Sequence, residues 1–263
     1  MEIVAAALTI VILGLLYWCM IKKETMRRIG VFQALLPLAL GIASMFISAL
    51  VTVLLAKALG GMANIMVGDT SFGSSLLYSL LMAGGTEEGV KLLMILLALV
   101  ILKSRVKNVY EYVLIGAAVG FGFAVAEEFF YGDFGAQATA ADYVSLIGRM
   151  ITVPAHMTFD MVMAEFLGRA RFNRVTGKGS PVWGWVLAVL VPVGVHALYD
   201  ACTVFNGKLK SGDMSGILIA FAGYAGLLVY ELVVLIRFRK KTAKLCGMST
   251  LADEALLKQK PEV

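Results

Sequence analysis

An apolar run from about residue 76 to 102 is interrupted at its middle by Gly84-Gly85-Thr86-Glu87-Glu88-Gly89-Val90-Lys91. On insertion scales each ionisable group costs roughly 2.5 to 3.5 kcal/mol near the bilayer centre, and each Leu, Ile, Phe or Val returns about 0.3 to 0.6. The roughly fourteen Leu, Ile and Val residues of the run return about 6 kcal/mol, against about 8 to 10 for Glu87, Glu88 and Lys91. Such a span is marginal alone and must be packed among partner helices.

Helical spacing lets Lys91 reach Glu87 at i−4 or Glu88 at i−3 from one side. An ion pair that fixes packing is the simpler use of one Glu and one Lys. Two adjacent carboxylates exceed what one amine can neutralise in a low dielectric, so one of them must hold a proton or meet another cation. Paired carboxyls of that kind are suited to acid/base work.

The rest of the chain fits a membrane setting. Of 263 residues 60% are hydrophobic and 16% charged, and the mean hydropathy is +0.85, outside the range of soluble domains. The net charge of +5 lies almost wholly in short loops and the C-terminal end, where it orients helices, so nucleic acid is not expected as a partner. Cys19, Cys202 and Cys246 lack disulfide-framework or metal-ligand spacing and read as packing residues. The N-terminal apolar run, with no basic region before it, reads as a retained span.

Seven segments are long enough to cross the hydrocarbon: roughly 3–21, 31–56, 76–102, 109–131, 144–167, 182–205 and 214–236. Basic residues cluster after the first (Lys22, Lys23, Arg27, Arg28), third (Lys103, Arg105, Lys107), fifth (Arg169, Arg171, Arg174, Lys178) and seventh (Arg237, Arg239, Lys240, Lys241). That parity predicts an all-α polytopic protein with its N-terminus outside and its C-terminus cytoplasmic. The expected organisation is one membrane-embedded domain over 1–236, with a catalytic core at about 76–205, followed by a cytoplasmic basic tail over 237–263. At Gly84-Gly85 the third segment could break, with Thr86 capping a helix that starts at Glu87 and residues 60–72 dipping into the membrane.

Further polar residues fall inside spans. The fourth segment ends Gly120-Phe121-Gly122-Phe123-Ala124-Val125-Ala126-Glu127-Glu128-Phe129-Phe130-Tyr131; its glycines suit close helix approach, and its carboxylates read either as interfacial charges or as site residues. The two histidines, His156 and His196, each precede an Asp by four residues, Asp160 and Asp200. One His in a span is usually a packing residue, but both histidines of a chain in the same pattern at similar depth favour function. Counted from the external helix ends, Glu87, His156, His196 and Glu127 all fall in the outer half to the middle of the bilayer.

Together Glu87-Glu88-x-x-Lys91, Phe123-x-x-x-Glu127 with Tyr131, His156, and His196-Ala197-Leu198-Tyr199-Asp200 resemble the PrsW family of intramembrane proteases, related to the CAAX prenyl proteases and to the multispanning scaffold subunit of γ-secretase. The resemblance covers about residues 76–205. It implies hydrolysis of peptide bonds in membrane-anchored substrates such as anti-sigma factors near the outer face. The Glu87/Glu88 pair, His156 and His196 would activate water and stabilise the oxyanion. Its implied location is a prokaryotic cell membrane, with membrane protein and lipid as partners. The residue after the glutamate of the fourth segment is often Asn in this family and is Glu128 here.

Amide hydrolysis needs an activated water, a base and oxyanion donors. Ser145, Thr158 and Cys202 form no clear triad, so a carboxylate-activated water is the natural assignment, with Glu87 or Glu88 as base. Asp160 and Asp200 either orient the imidazoles or face other helices. No cofactor is expected: HExxH is absent and Lys91 already supplies a positive charge, with zinc held by the histidines as the alternative. An ion-coupled transporter and a catalytically silent scaffold are the rival classes.

Overall fold

The computed structural model describes residues 2–131, 140–209 and 213–251, with side chains at 7–130, 148 and 151–251 apart from 210–212. Its helices are α1 (Glu2–Lys22), α2 (Val31–Leu59), α3 (Gly61–Gly68), α4 (Phe72–Ser79), α5 (Gly85–Ile101), α6 (Val109–Tyr131), α7 (Ala140–Thr176), α8 (Pro181–Lys208) and α9 (Met214–Cys246). Local chemistry sets their ends. Gly60 takes φ +50° between α2 and α3, a conformation strained for any side chain. The Ser71 hydroxyl accepts from the Ser74 amide at the start of α4, and the Asp213 carboxylate accepts from the Ser215 amide at the start of α9.

The expected break at Gly84-Gly85 does not occur. A π turn, Leu80–Gly84, carries the chain from α4 straight into α5, and Gly85 makes no cap. Thr86 is not an N-cap either: its hydroxyl donates to the Met82 carbonyl at 2.8 Å within the continuing helix. The wide turn re-satisfies the backbone where two glycines would otherwise end a helix, immediately before Glu87. Residues 61–68 form a short helix whose carbonyl end is closed by the α8 lysine, Lys208 Nζ donating to Met66 O at 2.5 Å and to Asp69 O at 3.0 Å.

Among the described residues four helices are long and apolar enough to cross a membrane: α2, α6, α8 and α9. The outward faces of α2, α8 and α9 carry exposed Leu50, Leu190, Phe221 and Val229, apolar surface that calls for lipid rather than water. α6 is the hub, with 78% of its apolar window buried, against 22% in α2 and α9 and 28% in α8. Its glycines are why. A Cβ on Gly116 or Gly120 would overlap the α7 backbone at Asp160 or His156, and one on Gly122 would overlap Leu38 of α2. Small residues at these contacts let helices without a hydrophobic drive between them approach closely enough for packing to hold them.

α7 and α9 run past the expected ends of the fifth and seventh segments, to Thr176 and Cys246. They stay helical because their charges are mutually satisfied: buried Glu165 on α7 accepts from Arg169 Nε at 2.6 Å and from Arg237 Nη2 of α9 at 2.5 Å. After α9 the chain turns back onto the body, Thr250 N donating to Lys107 O at 2.8 Å and Val109 N to Met248 O at 3.0 Å. Of the expected tail, 237–246 thus continue α9 and 248–250 pack against the start of α6, and residues 252–263 lie outside the described residues. Buried Glu111, in the first turn of α6, gathers Arg27, Gln33, Asn108 and the Lys107 amide at the same end of the molecule.

Candidate active site

All seven expected site residues meet where α5, α6, α7 and α8 converge. α5 contributes Glu87, Glu88 and Lys91 one turn after the π turn, whose Gly84 lies against the α8 backbone at Val193 and Ala197 with no room for a Cβ. α7 contributes His156, held against α6 at Gly120. α8 contributes His196 and Asp200. Pro154 and Pro192 lie inside α7 and α8 two and four residues before the histidines, each removing one backbone donor from its helix.

The floor of the site is closed. Glu88 and Lys91 are fully buried, with Lys91 Nζ 2.5 Å from Glu88 Oε1. The same oxygen lies 2.7 Å from His196 Nδ1, and Lys91 Nζ lies 3.1 Å from His156 Nδ1. Lys91 therefore satisfies the i−3 carboxylate and bridges it to the first histidine. Phe123 and Phe159 line this floor: Lys91 Nζ is 4.5 Å from the Phe123 ring centre, and Phe159 stacks on His196 at 5.2 Å. Phe159 was not singled out from the sequence. The signal for it is its position three residues after His156, on the same helix face.

The rim is open. The side chains of Glu87, Glu127 and Asp200 retain 19%, 20% and 21% of their exposure. Glu127 Oε2 lies 2.8 Å from His156 Nε2. His196 Nε2 faces two carboxylates, Asp200 Oδ2 at 3.4 Å and Glu87 Oε2 at 3.9 Å. Glu127, and not Glu128, is the carboxylate that reaches His156. The two imidazoles sit with ring centres 5.3 Å apart.

The two HxxxD pairs resolve differently. Asp200 turns to His196, whereas neither oxygen of buried Asp160 has a hydrogen-bond partner among the described residues, so it does not hold His156. Thr158 donates to the Ala155 carbonyl and Cys202 is buried on α8; neither forms a triad. The side chains of Ser145 and Tyr131 lie outside the described residues.

Glu87, His156 and His196 offer ligand atoms all within 4.8 Å of one another. The donor set suits a divalent cation. His196 is anchored through Nδ1 by a carboxylate, the arrangement that fixes a ligating imidazole, its Nε2 turned toward Glu87 and Asp200, and Glu87 Oε2 is buried without a hydrogen-bond partner among the described residues. For His156 to offer Nε2 as well, its Nδ1 must carry the proton, so Lys91 has to swing its donors toward Glu88 and Glu127 Oε2 has to give up its contact with Nε2.

A family model described as PrsW family intramembrane metalloprotease matches residues 11–236. The chain is 29% identical over 128 residues to Protease PrsW of Clostridioides difficile, covering 48% of this chain and 52% of that one. It is 30% identical over 100 residues to Protease PrsW of Halalkalibacterium halodurans, covering 38% and 42%. The chain thus spans about half the length of the curated relatives it matches. No solved structure matches it significantly.

Proposed function

Since the chain belongs to the PrsW family of intramembrane proteases, we propose that this integral membrane protein is an endopeptidase cutting membrane-anchored, single-span proteins, of which anti-sigma factors are the expected kind. The observation that carries the reading is the convergence of Glu87, His156 and His196 from three helices onto one point, ringed by Glu127 and Asp200.

Each residue has a distinct task. Glu88 orients His196 through Nδ1 and is held by Lys91, so it acts from behind the site. Glu87, His156 and His196 would hold a zinc-type cation, which when bound supplies a Lewis acid and an acidified water. This reading takes the zinc alternative left open by the sequence, because the donor geometry suits it. On the open rim Glu127, whose Oε2 faces His156 Nε2, is the carboxylate that would take a proton from the attacking water and return it to the leaving amine. Phe123 and Phe159 exclude water from the floor and strengthen the charge interactions there.

Seven crossings with the N-terminus outside and the basic loops cytoplasmic complete the proposal, supported by the gathering of Glu111, Glu165 and their arginines at one end of the bundle. The test is reconstituted protein with a single-span reporter substrate. The wild type should cleave it, and Glu87→Gln or His196→Ala should lower kcat/KM by about 10²- to 10⁴-fold. Proton-gradient-driven ion flux in the same vesicles, with no cleavage, would overturn the reading in favour of a transporter.

A further inference from the structure

Some cations at the basic end are held by buried carboxylates and others are not; of the latter, Lys23 and Arg239 share a cleft. Arg27 is paired with buried Glu111, and Arg169 and Arg237 with buried Glu165. Lys23 and Arg239 have no ion-pair or hydrogen-bond partner for their side chains among the described residues, and both are exposed. They line one cleft, of about 240 Å³, between the ends of α1 and α9 over α6 and α7. Leu16, Met20, Leu235 and Met161 line the same cleft. At 1.5 Å per residue the seven residues from Leu16 to Lys23 span about 10 Å, so the cleft passes from the basic layer into the apolar layer of the bundle.

We propose that this cleft binds an anionic phospholipid, its phosphate between Lys23 and Arg239 and the first part of one acyl chain along Leu16, Met20 and Leu235. Charge selects the occupant. Two unpaired cations above an apolar slot, in the layer where headgroup phosphates lie, match a lipid with net negative charge better than a zwitterionic one, whose own ammonium would meet Lys23. A transmembrane partner helix would fill the apolar slot and leave both cations unmatched. The site lies at the basic ends of α1 and α9 and requires nothing of the catalytic reading.

The experiment titrates the full-length protein, purified in a neutral detergent, with phosphatidylglycerol or phosphatidylcholine. Bound lipid is read by native mass spectrometry and the melting temperature in parallel. Phosphatidylglycerol should bind more tightly and raise the melting temperature more than phosphatidylcholine. Removing a cation near an anionic headgroup should weaken the lipid about fivefold, so K23Q/R239Q should lose most of the preference. K240Q/K241Q, with the same charge change outside the cleft, should keep it. C19W, which puts a large ring on the cleft wall and leaves both cations, should weaken phosphatidylglycerol binding without changing net charge. Equal binding of the two lipids, an equal loss in both double variants, or full binding by C19W would each overturn the proposal.

Discussion

Lys91 is fully enclosed, yet its ammonium touches Glu88 and His156 and sits over the Phe123 ring. Lys91→Met keeps the volume and removes the charge, leaving the buried Glu88 carboxylate to its hydrogen bond with His196. Breaking a buried pair from one side costs about 3 to 5 kcal/mol, so this variant should melt several degrees lower in detergent and lose activity. A wild-type melting curve with full cleavage would reduce Lys91 to a packing residue. The spacing Glu87-Glu88-x-x-Lys91 showed that a pair forms, because i−3 and i−4 neighbours share a face. Which carboxylate pairs was not legible, since both spacings allow it and the rotation of α5 against α8 decides. The same limit explains Asp160 and Asp200, identical in sequence pattern and opposite in what they face.

At the scale of helices, Gly120 fixes how near α7 comes to α6, and therefore where His156 lies. A methyl there must displace the His156 carbonyl and the Met157 backbone, an overpacking of about 1 to 3 kcal/mol. Gly120→Ala should lower the melting temperature and weaken whatever the histidines hold by about 10- to 100-fold, measured as metal affinity and as kcat/KM. Gly194→Ala is the control: nothing lies within 4 Å of its Cβ position, and Ala is the better helix former, so stability should hold or rise. Equal effects of the two would mean that close approach at Gly120 does not position His156. Glycines on the fourth segment announced a close contact, but their partners were not readable without the fold. The π turn was invisible for a related reason: Gly84-Gly85 reads as a helix end locally, and contact with α8 at Val193 and Ala197 keeps the helix going. Hydropathy also ended α7 and α9 too early, because charged residues stop an apolar window while Glu165, Arg169 and Arg237 satisfy one another inside a continuing helix.

For the whole molecule, the apolar composition and the order of polar motifs made the all-helical architecture and the family legible, since only packed helices satisfy their backbone in lipid. Orientation rests on loop charge. Reporters fused after Lys107 or Arg174 should read cytoplasmic and one inserted near Ala138, which lies outside the described residues, should read external; reversed labelling would place the site in the opposite leaflet. What charge and hydropathy could not supply is the point where four helices meet, and metal content measured beside cleavage probes it. Purified protein is assayed for bound metal and for cleavage of a single-span substrate before and after a membrane-permeant chelator, beside Glu87→Gln, His156→Ala and His196→Ala. The wild-type chain should carry about one zinc-type ion and each variant far less, with cleavage lost on chelation and restored by stoichiometric zinc. Full-rate cleavage by protein stripped of metal would contradict this and return Glu87 to the role of a metal-free base.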